Sequence, residues 1–277
     1  MEVLGVGRRK ALLIGINYFG TRKELNGCVD DVYRMKNLIT SVFGFVDDPL
    51  CMTLLTDRPG YNKRLSPSRR NCLGAMRWLV KDSGPGDLLF FHYSGHGGQK
   101  RNTKGTELTG FDETIMPLDY KTAGHITDDE LNNVLVKDLP AGVRLVCVMD
   151  CCHSGSGLDL PYYWPIDAHF KENIKKGAQV WTRELYPKMS DAHVILISSC
   201  QDTETAADLL IPGWGAGGAV TLGLVTTITN ASNPHQVSFY ELAKTLRKFL
   251  SDRKFTQSPQ ISTTQPFDPM QRTFDFS

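Results

Sequence analysis

The sequence has no long run of apolar residues. No stretch approaches the roughly 20 consecutive apolar residues that a transmembrane helix needs, and the apolar run that follows the basic residues 8–10 ends at Asn17. That run is too short to supply the apolar core and the cleavage site of a secretory signal peptide. We therefore expect a chain without a membrane span.

The sequence also lacks an excess of positive or negative charge. The chain has 31 Lys and Arg against 30 Asp and Glu, so its formal net charge is +1. Proteins that bind nucleic acid usually present a strongly basic face. The four cations in residues 63–70 are typical of a solvated loop, and we expect no nucleic-acid partner.

The seven cysteines lack the regular spacing of a disulfide scaffold. Cys147, Cys151 and Cys152 are crowded near the end of one predicted strand, where they cannot all pair. Such a pattern indicates a reducing compartment, and we expect a cytoplasmic protein. A zinc site is disfavoured because neighbouring side chains on a strand point to opposite faces, so Cys151, Cys152 and His153 cannot all reach one ion.

What the sequence does have is an alternation of strand and helix patterns. Strands are predicted at 10–16, 50–56, 87–93, 143–150 and 193–199, and helices at 30–43, 68–81, from 127 onwards, 219–230 and 238–250. The strands are apolar on both faces. Strands of this kind, alternating with helices, predict an α/β fold with a mostly parallel sheet covered on both sides.

Two of the predicted strands end in residues that can do chemistry. "LLFFHYSGHGGQ" places His96 among glycines, and "VCVMDCCHSGSG" places Cys151 and Cys152 directly after a strand. Sites in open α/β sheets form at the carboxyl ends of strands. A histidine there supplies the base that a thiol needs to become a nucleophile. Taken singly, a buried core cysteine and a polar loop histidine are the ordinary alternatives.

These two segments, together with "ALLIGINYF" and "LNGCVDDVYRM", resemble a type I metacaspase of the caspase-like cysteine peptidase clan. The "DCCHSG" form is similar to the metacaspases of trypanosomatid parasites. The resemblance runs from about Arg9 to about Phe276. It implies a caspase-like α/β/α sandwich around a mostly parallel central β-sheet, as a single domain over 1–277. Within that domain it implies a large-subunit-like part at about 9–160, a loop region at about 157–191 and a small-subunit-like part at about 192–277.

The resemblance also implies the roles of the two strand ends. His96 is the expected general base and Cys152 the expected nucleophile, with Cys151 a bystander. The thiolate of Cys152 is expected to attack a peptide carbonyl and form an acyl-enzyme. The backbone N–H groups of Gly97 and Cys152 are expected to hold the oxyanion.

The acidic residues near these strand ends favour a cationic substrate. Asp150 lies two residues before Cys152, and Asp30 and Asp31 follow the first strand. An acidic pocket suits a positively charged side chain. The resemblance implies cleavage after Arg or Lys, with the first subsite lined by Cys28, Asp31, Ser94 and Asp150. The alternative is that Asp30 and Asp31 only start a helix, where acids complement the dipole.

A second set of acids is Asp112, Asp128, Asp129 and Asp159. Carboxylates brought together repel one another unless a hard cation lies among them. Asp128 and Asp129 also fit the first turn of a helix, and spacing alone favours that interpretation. The resemblance implies that these four residues bind Ca²⁺.

The remaining expectations concern assembly and rival functions. The resemblance implies a monomer, and self-cleavage is expected at exposed basic residues. The rivals are a catalytically silent scaffold, which would lack the His or the Cys, and an Asp-specific peptidase, which would carry basic residues in the first subsite. Residues 213–218 match the GxGxxG pattern literally, but they follow no clear strand, so a loop that opens a helix is favoured over a dinucleotide site.

Overall fold

The structure is a computed structural model that describes residues 7–60, 62–103, 110–151, 157–166, 180–185, 187–200, 216–252 and 258–275. The strands are β1 (Arg9–Gly15), β2 (Met52–Thr56), β3 (Leu88–Ser94), β4 (Gly97–Arg101), β5 (Phe111–Ile115), β6 (Ile126–Thr127), β7 (Arg144–Asp150), β8 (Tyr162–Pro165), β9 (Thr182–Arg183), β10 (His193–Cys200) and β11 (Ser258–Thr263). The helices are α1 (Cys28–Ser41), α2 (Arg69–Val80), α3 (Tyr120–Ala123), α4 (Asp128–Leu135), α5 (Ala219–Thr229) and α6 (Phe239–Asp252).

The five predicted strands form the parallel part of one large sheet. The strand order is β2-β1-β3-β7-β10-β11-β8-β9. The pairs from β2 through to β10 are parallel, and those from β10 to β9 are antiparallel. Gly15, Ser94 and Asp150 are register partners across β1, β3 and β7. The ends of these strands, which precede the candidate site residues, therefore lie side by side at the carboxyl edge of the sheet.

Helices cover both faces of the sheet, as the apolar strands require. Alternate residues of β1 belong to different core clusters, with Leu13 in one and Leu12 in the other. The first cluster contains buried side chains of α1, α5 and α6, and the second those of α2 and α4. The result is a three-layer α/β/α sandwich, which confirms the predicted fold class. In the part of the chain that is described, no helix is both long and apolar enough to cross a membrane.

Side-chain caps lie at the beginnings of α4 and α2. Thr127 Oγ1 accepts from the Glu130 N–H at 3.2 Å, and Glu130 Oε2 accepts from the Thr127 N–H at 3.2 Å, which completes a capping box at the start of α4. Ser68 Oγ accepts from the Asn71 N–H at the start of α2, at 3.3 Å. Caps of this kind stabilise a helix by about 1 kcal/mol each.

Six strands were not predicted. β4, β5 and β6 form a separate antiparallel sheet, and β11, β8 and β9 extend the large sheet beyond β10. β4 has the sequence GGQKR and is largely exposed, so it lacks the apolar alternation that marks a strand. Short polar strands form because a neighbour offers its hydrogen bonds, and that neighbour is known only from the tertiary structure.

Candidate active site

Two buried carboxylates lie where β3, β7 and α1 meet. Ser94 Oγ donates to Asp31 Oδ2 at 2.9 Å, and the Gly218 N–H donates to the same oxygen at 2.7 Å. The Thr221 N–H donates to Asp150 Oδ2 at 2.7 Å. The parallel register, the first turn of α1 and the first turn of α5 thus bring together Asp31, Ser94 and Asp150, three residues that the resemblance implies for the first subsite.

The surroundings of these carboxylates disfavour their charge. Burial raises the pKa of Asp31 to about 8, and the negative charge of Asp150 adds to this, whereas hydrogen bonds from Gly218 and Ser94 and the charge of Arg34 oppose it. Burial also raises the pKa of Asp150, against the hydrogen bonds from Thr221. Ionisation of either acid is unfavourable in this buried site. A cation bound beside the two acids would stabilise their ionised form.

A pair of glycines closes one wall of the site. A Cβ atom at Gly217 would lie 2.6 Å from Asp31 Oδ1, and one at Gly218 would lie 2.2 Å from Asp150 Oδ2. Any side chain at Gly218 would therefore overlap the Asp150 carboxylate. The sequence marks these glycines only as part of a loop before a helix, and their role at the site was not predicted.

Two further residues that support the acids, one directly and one through Thr221, were missed. Arg34 Nη1 donates to Asp31 Oδ1 at 3.0 Å and to the Ala216 carbonyl at 2.8 Å, which ties α1 to the start of α5. His92 is fully buried, and its Nε2 lies 3.2 Å from Thr221 Oγ1. Burial lowers the pKa of His92 to about 3, so the ring is neutral. The i, i+3 spacing of Asp31 and Arg34 was the one sequence signal available.

Cys28, which was also predicted to line the site, is the first residue of α1 and is buried. A Cβ atom at Gly15 would lie 2.4 Å from the Cys28 carbonyl oxygen. The end of β1 therefore packs directly on the start of α1. This contact fixes the first turn of α1, which carries Asp31, over the edge of the sheet.

His96 lies between β3 and β4, two residues after Ser94. Its Nε2 lies 2.8 Å from the Lys23 carbonyl oxygen, and its backbone N–H donates to the Tyr18 hydroxyl at 3.1 Å. The rings of Tyr18 and His96 have centroids 4.8 Å apart. A carbonyl oxygen can only accept, so Nε2 carries the proton and Nδ1 is the basic nitrogen of the neutral ring.

The predicted nucleophile, Cys152, lies outside the described residues. β7 ends two residues before it at Asp150, and Cys151 is buried in the core cluster that includes α2 and α4. Gly97, predicted to donate to the oxyanion, directly follows His96 and is the register partner of Ile115. The predicted base and the last described residue before the predicted nucleophile thus follow adjacent parallel strands.

The second acidic set also comes together. One carboxylate oxygen each from Asp128, Asp129 and Asp159 lie within 4.8 Å of one another. The N–H groups of Glu113 and Asp129 donate to the two oxygens of Asp128, at 2.6 and 2.7 Å. We call Asp128, Asp129 and Asp159 the acid cluster. It joins the start of α4 to the segment after β7.

A lysine lies in the acid cluster. Lys188 Nζ forms salt bridges with Asp129 and Asp159. Burial raises the pKa of Asp159, the Lys188 bridge opposes this, and the charges of Asp129 and Asp112 add to it. Burial disfavours the Lys188 charge, but its bridges prevail and raise the pKa of Lys188. The cluster therefore holds a positive charge already.

The fourth predicted acid, Asp112, lies on β5 and accepts a hydrogen bond from Asn102 Nδ2. Its charge acts on Asp159, but its oxygens are not among those within 4.8 Å of one another. Glu184, which the sequence did not single out, is also near, since burial and the charge of Asp159 raise its pKa. The structure thus brings three of the four predicted acids into direct proximity and the fourth within electrostatic range.

Comparison with known proteins gives the family of the chain. Residues 9–161 match the family profile "Metacaspase, peptidase C14 domain". The chain is 40% identical to Metacaspase-1 of Schizosaccharomyces pombe over 301 aligned positions, which cover 95% of this chain and 68% of that protein. It is also 40% identical to Metacaspase-1 of Emericella nidulans, over 95% of this chain and 72% of that protein.

Solved structures give the fold independently. The crystal structure of protein GSU0716 from Geobacter sulfurreducens superposes with a TM-score of 0.64 at 26% identity, covering 98% of each chain. The structure of pro-sf-caspase-1 superposes with a TM-score of 0.51 at 12% identity, covering 97% of this chain and 90% of that one. The second likeness shows a caspase-like fold.

The fold and the profile together define a caspase-like cysteine endopeptidase. Within that class, the chain belongs to the metacaspase family. The resemblance expected from the sequence motifs is confirmed.

Proposed function

We propose that this protein is a calcium-dependent cysteine endopeptidase that cleaves peptide bonds after Arg or Lys. The observation that carries the specificity is the buried pair Asp31 and Asp150 at the carboxyl edge of the sheet. A cationic side chain of the substrate would offset negative charge on the pair, whereas an Asp side chain would add to it. Protein or peptide chains with exposed Arg or Lys are therefore the proposed substrates.

We assign the chemistry to His96 and Cys152. The Lys23 carbonyl holds Nε2–H, so Nδ1 takes the thiol proton. The thiolate then attacks the substrate carbonyl, and the oxyanion forms near the Gly97 N–H. The imidazolium returns its proton to the leaving amine, and water hydrolyses the acyl-enzyme with His96 as base.

We assign Ca²⁺ to the acid cluster, with Asp112 as a further ligand. Ca²⁺ prefers carboxylate oxygens, and an ammonium group already neutralises part of the cluster, so the residues fit a cation. When bound, Ca²⁺ supplies a crosslink between α4 and the segment after β7. Asp159 lies seven residues after Cys152, so that crosslink would order the chain around the nucleophile.

We further propose that the protein is a monomer of a reducing compartment. β8 and β9 continue the sheet past β11, so β11 has a strand on each side. Exposed edge strands are the usual sites of sheet-to-sheet association, so β11 is not available for it. Of the described cysteines, Cys51, Cys72 and Cys147 form no disulfide, which supports the cytoplasmic location. Self-cleavage at exposed basic residues stays part of the proposal.

The test is the release of a fluorophore from peptides that end in Arg, Lys or Asp, each with Ca²⁺ and with EDTA. Calcium-dependent release from the Arg and Lys peptides, lost in Cys152→Ala and kept in Cys151→Ala, is the expected result. Equal activity in EDTA would remove calcium from the proposal. No cleavage by a folded protein, even after limited proteolysis to supply an activating cut, would favour a catalytically silent scaffold.

A further inference from the structure

Lys188 occupies the position in the acid cluster that a bound cation would take. Its Nζ donates to both Asp129 and Asp159, and its side chain is 31% exposed. An ammonium group bound to two carboxylates relieves their repulsion much as a metal ion does. Lys188 therefore stabilises the acid cluster without a metal, but it occupies two of the three carboxylates that would bind one.

Lys188 reaches the cluster from a segment that is anchored separately. Ser190 Oγ donates to the Val136 carbonyl at the C-terminal end of α4, at 3.0 Å, and the Ala192 N–H donates to Ser190 Oγ at 3.3 Å. These contacts do not involve the acid cluster. The segment before β10 can therefore keep its position on α4 while the Lys188 side chain leaves.

The ammonium and a calcium ion cannot share the cluster. Ca²⁺ binds carboxylate oxygens at about 2.3–2.6 Å, and the three available oxygens lie within 4.8 Å of one another. An ion between them would use carboxylates that Lys188 holds, and its two charges would repel the ammonium. One cation must leave before the other binds.

We propose that Lys188 is a tethered competitor of calcium, which sets the calcium concentration at which the acid cluster fills. This inference rests on the proposed function, because it takes the acid cluster as the calcium site. The ion binds only those molecules in which the Lys188 ammonium has left. Filling of the site thereby releases the Lys188 side chain from Asp129 and Asp159, while the segment before β10 stays anchored on α4.

The first experiment measures calcium affinity by titration calorimetry on the full chain, in a Cys152→Ala background that cannot cleave itself. Lys188→Met should tighten the apparent Kd by about tenfold or more, because apparent Kd is the intrinsic value divided by the fraction of molecules open to the ion. The matched control is Lys137→Met, which removes the same charge from an exposed position after the other end of α4. Equal affinities in the two variants would overturn the proposal.

The second experiment keeps Lys188 in place. Brief acetylation of the Cys152→Ala protein, followed by mass spectrometry, reports how accessible each lysine is, with Lys137 as the internal reference. Calcium should raise the acetylation of Lys188 several-fold and leave Lys137 unchanged. If calcium binds but Lys188 stays protected, the competition fails while the calcium site stands. If calcium binds neither the Cys152→Ala protein nor its Lys188→Met variant, the proposed calcium site itself is wrong.

Discussion

The Asp31 carboxyl group is held by partners that a neutral amide would partly keep. Ser94, Gly218 and Arg34 all contact its carboxylate. Asp31→Asn should leave the fold intact but lower kcat/KM for an Arg-ended peptide at least about 30-fold, since losing one partner of a buried charge pair costs roughly 2 kcal/mol or more. The control is Asp30→Asn, whose side chain is exposed on the same helix turn. Similar activity in both variants would remove Asp31 from the substrate pocket.

The affinity for a cationic side chain should depend on pH, because Asp31 and Asp150 titrate. The pKa of Asp31 is about 8 because of burial and the nearby Asp150, so the carboxyl is largely protonated below that pH. A cation binds the ionised form, and its affinity should therefore rise as pH increases from about 6 to 8. The measurement is the Kd of an Arg-containing peptide for Cys152→Ala protein across this range. The matching citrulline peptide, which has no charge, should show a flat profile, and a parallel rise in both would contradict the assignment.

At the scale of the helix, the start of α5 lies close to Asp150 because residue 218 is a glycine. Gly218→Ala would place a methyl group 2.2 Å from Asp150 Oδ2, so we expect α5 to be displaced and activity to be lost. Gly74→Ala is the contrasting variant, because Gly74 is exposed inside α2 with no atom near its added Cβ. That change should stabilise the protein by about 1 kcal/mol. Thermal unfolding and peptide cleavage measure both, and an active Gly218→Ala variant would refute the packing argument.

Elements differ in how far the sequence could predict them. The five core strands and α1, α2, α4, α5 and α6 each have an apolar period or a cap that is local to the chain, and all were found within a few residues of their predicted bounds. β8, β9 and β11 carry little local signal. They exist because each meets another strand far away in the chain, as β11 meets β10.

At the scale of the whole molecule, the antiparallel end of the sheet bears on assembly. Among the described residues, the β8–β9 pair ends the sheet with β9, a strand of two residues that are both exposed. So short an edge offers few hydrogen bonds to a second copy. We expect a monomer of the chain's 30.9 kDa by light scattering over the micromolar range, with and without calcium. A stable dimer at these concentrations would show that another surface mediates association.

The sequence by itself determined the α/β class, the core elements and the family, because hydrophobic period, caps and short motifs are local properties of the chain. Only the tertiary structure decided what lies against the acids. Gly218 contacts Asp31 across 187 positions of the chain, and Lys188 reaches Asp129 across 59. Such contacts depend on how α5 and the segment before β10 pack on the sheet, and no local pattern encodes that packing.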